Sequence, residues 1–144
     1  MAKVLPKQKI MALIYRRDSA FLALRVNPAF GEGRNKYFVV TGGIEAGELP
    51  AAAVRREVKE ETGLKVVKIY DLKSTLKYFC SAEGGWCDEH VFAAAVAAGP
   101  VILNEEHVGY RWLRPKDFLK KVSWRGDKKV LENYLAAALG AEPG

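Results

Sequence analysis

The residues able to do chemistry are concentrated between Gly42 and Leu64, where the chain reads GGIEAGELPAAAVRREVKEETGL. Glu57, Glu60 and Glu61 stand three and four residues apart, with Arg56 beside the first and Glu48 upstream. Pro50 suits a first helical turn, where its missing N–H leaves no bond unmade, and Gly63 suits the left-handed residue that closes a helix. The stretch between them predicts a helix of roughly 13 residues. At 100° per residue, Ala51, Val54, Val58 and Thr62 form one stripe facing the core. With Glu57 set at zero, Glu61 falls at about +40° and Glu60 at about −60°, an arc of roughly 100° that aims three carboxylates into one small volume.

That cluster opposes two local preferences. Like charges at these spacings repel, and acids near a helix C-terminus meet the negative end of its dipole, each at a cost of a few tenths to ~1 kcal/mol. A compensating cation is therefore expected. Mg²⁺, with Mn²⁺ as a substitute, suits oxygen ligands free of His and Cys and is usually held by one or two carboxylates plus substrate phosphates. Taken alone, the three glutamates could equally be a solvated face paired with Arg55, Arg56 and Lys59. Gly42, Gly43 and Gly47 permit positive φ and close backbone approach, so Val40-Thr41-Gly42-Gly43 can present a carbonyl or N–H to metal or phosphate. Thr41 is thus a candidate metal ligand, and Gly42 and Gly43 are candidate phosphate contacts. Leu49 occupies the expected N-cap without a side chain that can cap.

The order Gly, five residues, Glu, seven residues, Arg-Glu-apolar-x-Glu-Glu-x-Gly-apolar resembles the box of the Nudix hydrolases. Gly42, Glu48, Arg56, Glu57, Val58, Glu60, Glu61, Gly63 and Leu64 fill it without a mismatch. At average residue usage a chance match in a chain of this length is on the order of 10⁻⁷. The resemblance extends to Leu22-Ala23-Leu24-Arg25 and to Glu106-His107-Val108-Gly109-Tyr110-Arg111-Trp112. It implies a brace between Glu48 and Arg56, metal ligation by Glu57, Glu60 and Glu61, and a further ligand or base at Glu106. It also implies hydrolysis of a diphosphate bond in a nucleotide-like substrate, with Glu57 or Glu106 taking the proton. Thr41-Gly42, the Glu106 segment and Ser123-Trp124 look most like bacterial dihydroneopterin triphosphate and dATP pyrophosphohydrolases, which points to a nucleoside or pterin triphosphate. Dinucleoside polyphosphates, ADP-ribose and nucleotide sugars are the alternatives within the enzyme class; a nucleotide sensor or RNA-binding module is the alternative outside it.

Around this centre, 144 residues of 49% hydrophobic composition predict one domain over residues 1–144. Strands are expected at about 8–16, 20–26, 37–40, 64–70, 74–80, 89–96 and 110–113, and helices over about 50–62, 115–122 and from Gly126 to Leu139. With the resemblance, this gives an α+β fold: the Nudix α/β/α sandwich, a mixed sheet between helices. The absence of a signal-like or bilayer-length apolar run predicts a cytoplasmic protein without a membrane partner. The formal charge of +6 lies wholly in residues 1–40. There Arg25, Arg34 and Lys36 are candidates for phosphate binding, while Lys3 and Lys7 read as surface charge. Few aromatics interleave with these basic residues, so nucleic acid is not the expected partner. Tyr37, Trp86 and Trp124 could stack a base. Cys80 and Cys87 are expected as free thiols on the arms of a hairpin turned at Gly84-Gly85. A homodimer is compatible with all of this.

Overall fold

The computed structural model describes residues 5–30 and 36–140; Lys3 and Arg34 lie outside them. The chain forms β1 (Lys7–Tyr15), β2 (Phe21–Val26), β3 (Tyr37–Phe38), β4 (Val40–Gly43), α1 (Pro50–Thr62), β5 (Val66–Cys80), β6 (Gly85–Val96), β7 (His107–Leu113), α2 (Pro115–Lys121) and α3 (Lys128–Gly140). The sheet is mixed: β1 and β6 run parallel and the other pairs antiparallel.

Its centre is β1, whose Ile10-Met11-Ala12-Leu13-Ile14-Tyr15 is buried on both faces. That explains a continuous apolar run where a one-sided strand would alternate. Ile10, Ala12 and Ile14 join Val54 and Val58 in one core under α1, while Met11, Leu13 and Tyr15 join Phe118, Leu131 and Leu135 in a second core under α2 and α3. Helices thus cover both faces, as expected of the sandwich.

The sheet forks where β1 leaves β2. These strands pair at Tyr15 and Phe21; towards the other end β4 takes β1 from Lys9 to Ala12, while β3 takes β2 at Leu24 and Arg25. The segment read as one short strand therefore serves two partners. β7 flanks β2 and begins at His107, three residues earlier than expected.

Two strands expected at 64–70 and 74–80 are one strand of 15 residues with a register slip between Asp71 and Thr75. Lys73 takes φ 53° there, and Asp71 Oδ1 accepts its N–H at 2.8 Å. This bulge absorbs the polar break without ending the ladder. Cys80 and Cys87 are free thiols on β5 and β6. Among the described residues no helix is long and apolar enough to cross a membrane.

Candidate active site

Helix α1 has the bounds that its punctuation predicts. Leu49 sits at the N-cap with no side-chain hydrogen bond, and Gly63 closes the helix at φ 71°, its N–H donating to the Lys59 carbonyl at 2.9 Å. The loop before it is held from the side. Arg56 donates from Nε to Glu48 Oε2 at 2.8 Å and from Nη2 to Glu48 Oε1 at 3.0 Å and the Gly43 carbonyl at 2.8 Å. Glu48 Oε1 in turn accepts the Glu45 N–H at 3.0 Å. The guanidinium holds the Glu48 carboxyl down at about 2 and is itself raised by Glu48 and Glu57. A bidentate fork of this kind fixes orientation as well as distance.

The three box glutamates differ in exposure. Glu57 Oε1 accepts from Arg56 Nη1 at 2.7 Å, while Glu60 turns outward, 55% exposed and 3.4 Å from the same nitrogen. Glu61 goes inward and is 3% exposed. The buried face of α1 is Ala53, Val54, Val58, Glu61 and Thr62, with Ala51 exposed, so the helix is rolled from the stripe expected of it. The opposing strand accounts for the roll. A Cβ at Gly42 would collide with Cδ and Oε1 of Glu57 and lie 2.7 Å from its Cγ. Only bare backbone lets the carboxylate edge of α1 descend this far. Gly42 and Gly43 are extended within β4; the positive φ of the loop belongs to Gly47, at 76°.

The third carboxylate beside Glu61 is Glu106. Asn104 Oδ1 accepts the Glu106 N–H at 3.0 Å, Asn27 donates from its backbone N–H to the Glu106 carbonyl at 2.9 Å, and Asn27 Nδ2 donates to the Glu105 carbonyl at 2.8 Å. Asn27 and Asn104 thereby fix a turn at the head of β7, a role that a single polar residue in a loop does not announce in sequence. His107, half-buried on that strand, lies with Nδ1 3.7 Å from Glu61 Oε1. Burial lowers the pKa of His107 against the pull of Glu106, which favours the neutral ring.

Glu61 is therefore surrounded by acids. Its pKa is raised first by burial and then by the charge of Glu106 and the hydrogen bond and charge of Glu57. Among the described residues, Glu61 Oε2 and His107 Nδ1 are buried without hydrogen-bond partners. Among the described residues no three acid, His or Cys side chains form a ready-made metal cage. Magnesium-type sites do not require one, since water and substrate phosphates complete the shell. An orphaned buried oxygen beside two further carboxylates is the donor set that a hard divalent cation would complete.

The other candidates divide. Thr41 sits on β4 opposite Met11, one residue from Gly42. Arg25 faces Tyr37 and Gly109 across its two neighbouring strands, and Lys36 is half-buried, its carbonyl accepting the Val26 N–H at 2.8 Å. Tyr37 is in the core rather than open for stacking, with Lys121 Nζ 4.8 Å from its ring centre. Trp124 packs between Phe38 and Tyr134, and Trp86 lies exposed against Phe79 near the hairpin tip.

Comparison with known proteins agrees with this geometry. Escherichia coli nucleoside triphosphatase NudI is 25% identical over 121 residues, 78% of this chain and 86% of that protein. A Myxococcus xanthus octanoyltransferase is 31% identical over 100 residues, 68% of this chain, but the chain spans only 28% of its length. The E. coli dihydroneopterin triphosphate pyrophosphohydrolase shares the fold with TM-score 0.71 at 21% identity, covering 94% of this chain and all of that one. A Caenorhabditis elegans Ap4A hydrolase does so with TM-score 0.72 at 22% identity, covering 93% and 91%. The NUDIX domain family matches residues 5–134. With the box helix, its Arg56 brace and the acid cluster built around bare backbone at Gly42, the chain belongs to the NUDIX family, as a Nudix hydrolase acting on pyrophosphate bonds.

Proposed function

We propose that this protein hydrolyses a diphosphate bond in a nucleoside or pterin triphosphate with Mg²⁺ as its cation. The observation that carries this reading is the buried, unpaired Oε2 of Glu61 between Glu57 and Glu106. Glu61, Glu57 and Glu106 would hold the metal, with Glu60 and the Thr41 carbonyl at its margin. When bound, a divalent cation neutralises diphosphate charge and acidifies water.

The chain's own residues do the rest. Arg56 fixes both the Glu48 loop and the Glu57 carboxylate, so Glu57 is pre-aimed before substrate arrives. Glu57 then takes the proton of the attacking water as the water adds in line to phosphorus and the leaving phosphate departs. The backbone of Gly42 and Gly43 admits the phosphates closely, and Arg25 and Lys36 supply positive charge on the approach. Glu106, on its turn, closes the site from the side opposite α1.

The test is a screen of nucleoside triphosphates, dihydroneopterin triphosphate, dinucleoside polyphosphates, ADP-ribose and nucleotide sugars, with and without Mg²⁺, identifying each product. Metal-dependent release of phosphate or pyrophosphate from a triphosphate is the expected result. Full activity in excess EDTA, or turnover confined to dinucleoside polyphosphates or sugars, overturns it.

A further inference from the structure

Among the described residues, the buried side-chain atoms left without hydrogen-bond partners are Glu61 Oε2 and His107 Nδ1, and they belong to neighbouring groups. A cation accounts for the first; nothing yet accounts for the second. Although His107 as a residue is half-buried, its side chain is 8% exposed, and that of Glu61 is 4% exposed. A buried polar atom costs stability unless something completes it, and a leucine would fill the same space without that cost.

The strand ladder is broken to bring this ring to the carboxylates. β7 pairs with β2 as Trp112 with Leu22, Tyr110 with Leu24 and Gly109 with Arg25, then slips by one residue, so that His107 rather than Val108 stands opposite Val26. On an unbroken ladder His107 would share the face of Gly109 and Arg111, and Arg111 lies opposite Ala23 in the core under α2 and α3. The slip moves it to the face of Leu22 and Leu24, which α1 covers, and leaves Val108 50% exposed. The turn holds it there: the His107 N–H donates to the Asn104 carbonyl at 3.4 Å. Nδ1 then lies 3.7 Å from Glu61 Oε1, too far for a hydrogen bond. Two donors on one ion are spaced in this way, since bonds of about 2.0–2.2 Å enclosing roughly 90–120° hold their donor atoms about 3–3.8 Å apart.

We propose that His107 Nδ1 binds the divalent cation directly beside Glu61, and that this nitrogen makes the site prefer first-row transition ions to Mg²⁺. Imidazole adds little for Mg²⁺, which favours oxygen, more for Mn²⁺ and more again for Co²⁺. This ligation rests on the metal reading above and refines its ion preference: Mg²⁺ serves when abundant, whereas Mn²⁺ or Co²⁺ fills the site at lower concentration.

The chain has two histidines, which makes the nitrogen assignable. His90 is the control, with Nδ1 on Thr75 Oγ1 at 3.1 Å and Nε2 on Gln8 Oε1 at 2.6 Å, so neither of its nitrogens is free. The untagged protein is loaded with Mn²⁺ and ¹⁴N coupling is read by electron spin-echo envelope modulation. A coordinated imidazole should appear in the wild type, persist in His90→Gln and vanish in His107→Leu. By calorimetry His107→Leu should bind Mn²⁺ and Co²⁺ about tenfold more weakly or worse, and Mg²⁺ within about twofold of wild type. If His107→Leu does not fold, ¹⁵N-histidine in the wild type should replace the ¹⁴N pattern. These measurements read binding, so a lack of turnover on every triphosphate counts against the hydrolase reading alone. A wild-type Mn²⁺ complex without coordinated nitrogen, a signal that His90→Gln removes, or equal weakening of all three ions in His107→Leu overturns the proposal.

Discussion

Glu61 and Glu89 are both buried carboxylates, at the same end of the sheet but on opposite faces, and their surroundings differ in kind. Glu61 meets two other acids and a neutral-leaning imidazole, and one of its oxygens has no partner among the described residues. Glu89 accepts the Tyr78 hydroxyl, and burial raises its pKa against that hydrogen bond and the charge of Lys9. The first environment is short of positive charge, whereas the second leaves no buried oxygen unpartnered among the described residues. Burial alone therefore does not define a site; the sign of what is missing tells which ligand would complete it. On the Glu61 side that ligand would be a cation.

The sharpest way to separate the two faces is turnover. Glu57→Gln should lower kcat on the order of 10²–10⁴-fold for every substrate alike, whereas Glu106→Gln should cost less and shift the metal requirement. Kinetics at saturating Mg²⁺ decide it: a larger fall for Glu106→Gln, with metal affinity unchanged, would move the base to the β7 turn. Substrate ranking should stay fixed in both variants.

Gly42→Ala should come next. The added Cβ runs into the Glu57 carboxylate, so α1 must lift or Glu57 must rotate. A displacement near 1 Å at a reacting group costs about 100-fold in turnover. Near-wild-type activity in a folded Gly42→Ala protein would show that the close contact does not set the geometry.

The smallest effect expected is on stability. The pKa of Glu61 is raised in the folded chain above its ordinary 4.5, so folding favours the protonated form. Its stabilising influence is present at low pH and is lost as pH rises from about 4.5 through the folded value. In EDTA, Glu61→Gln should therefore raise Tm by a few degrees at pH 8 and flatten the decline of Tm with pH, while losing the stabilisation that Mg²⁺ confers on the wild type. A Glu61→Gln protein whose Tm falls in EDTA at pH 8 would mean that the carboxylate is compensated without metal.

Which residues could be anticipated follows from how local their causes are. Pro50 and Gly63 act on their own backbone, and α1 begins and ends where they place it. The brace between Glu48 and Arg56 that the resemblance implies is present as a fork at 2.8 and 3.0 Å. By contrast, helical angles alone put Ala51 inside and aimed Glu60 with Glu57 and Glu61. Ala51 is exposed, because the roll of a helix is set by what it lands on, while Glu60 shares Arg56 Nη1 with Glu57. Tyr37 likewise reads as an aromatic able to stack a base, but β3 turns it into the core beneath Lys121.

The sequence by itself determined the family, the box helix with its ends, and the sandwich of helices about a sheet, since caps, spacing and apolar periodicity act over a few residues. The tertiary structure alone decided that Glu61 is the buried acid and that Glu106 joins it across 45 positions of chain. It alone placed Glu89 beneath Tyr78 on the opposite face. Those outcomes depend on which strand lies beneath which helix, and on a missing side chain at Gly42 that lets two acidic surfaces approach. No local pattern contains that information, because the energy of a buried charge is fixed by neighbours that are distant in sequence.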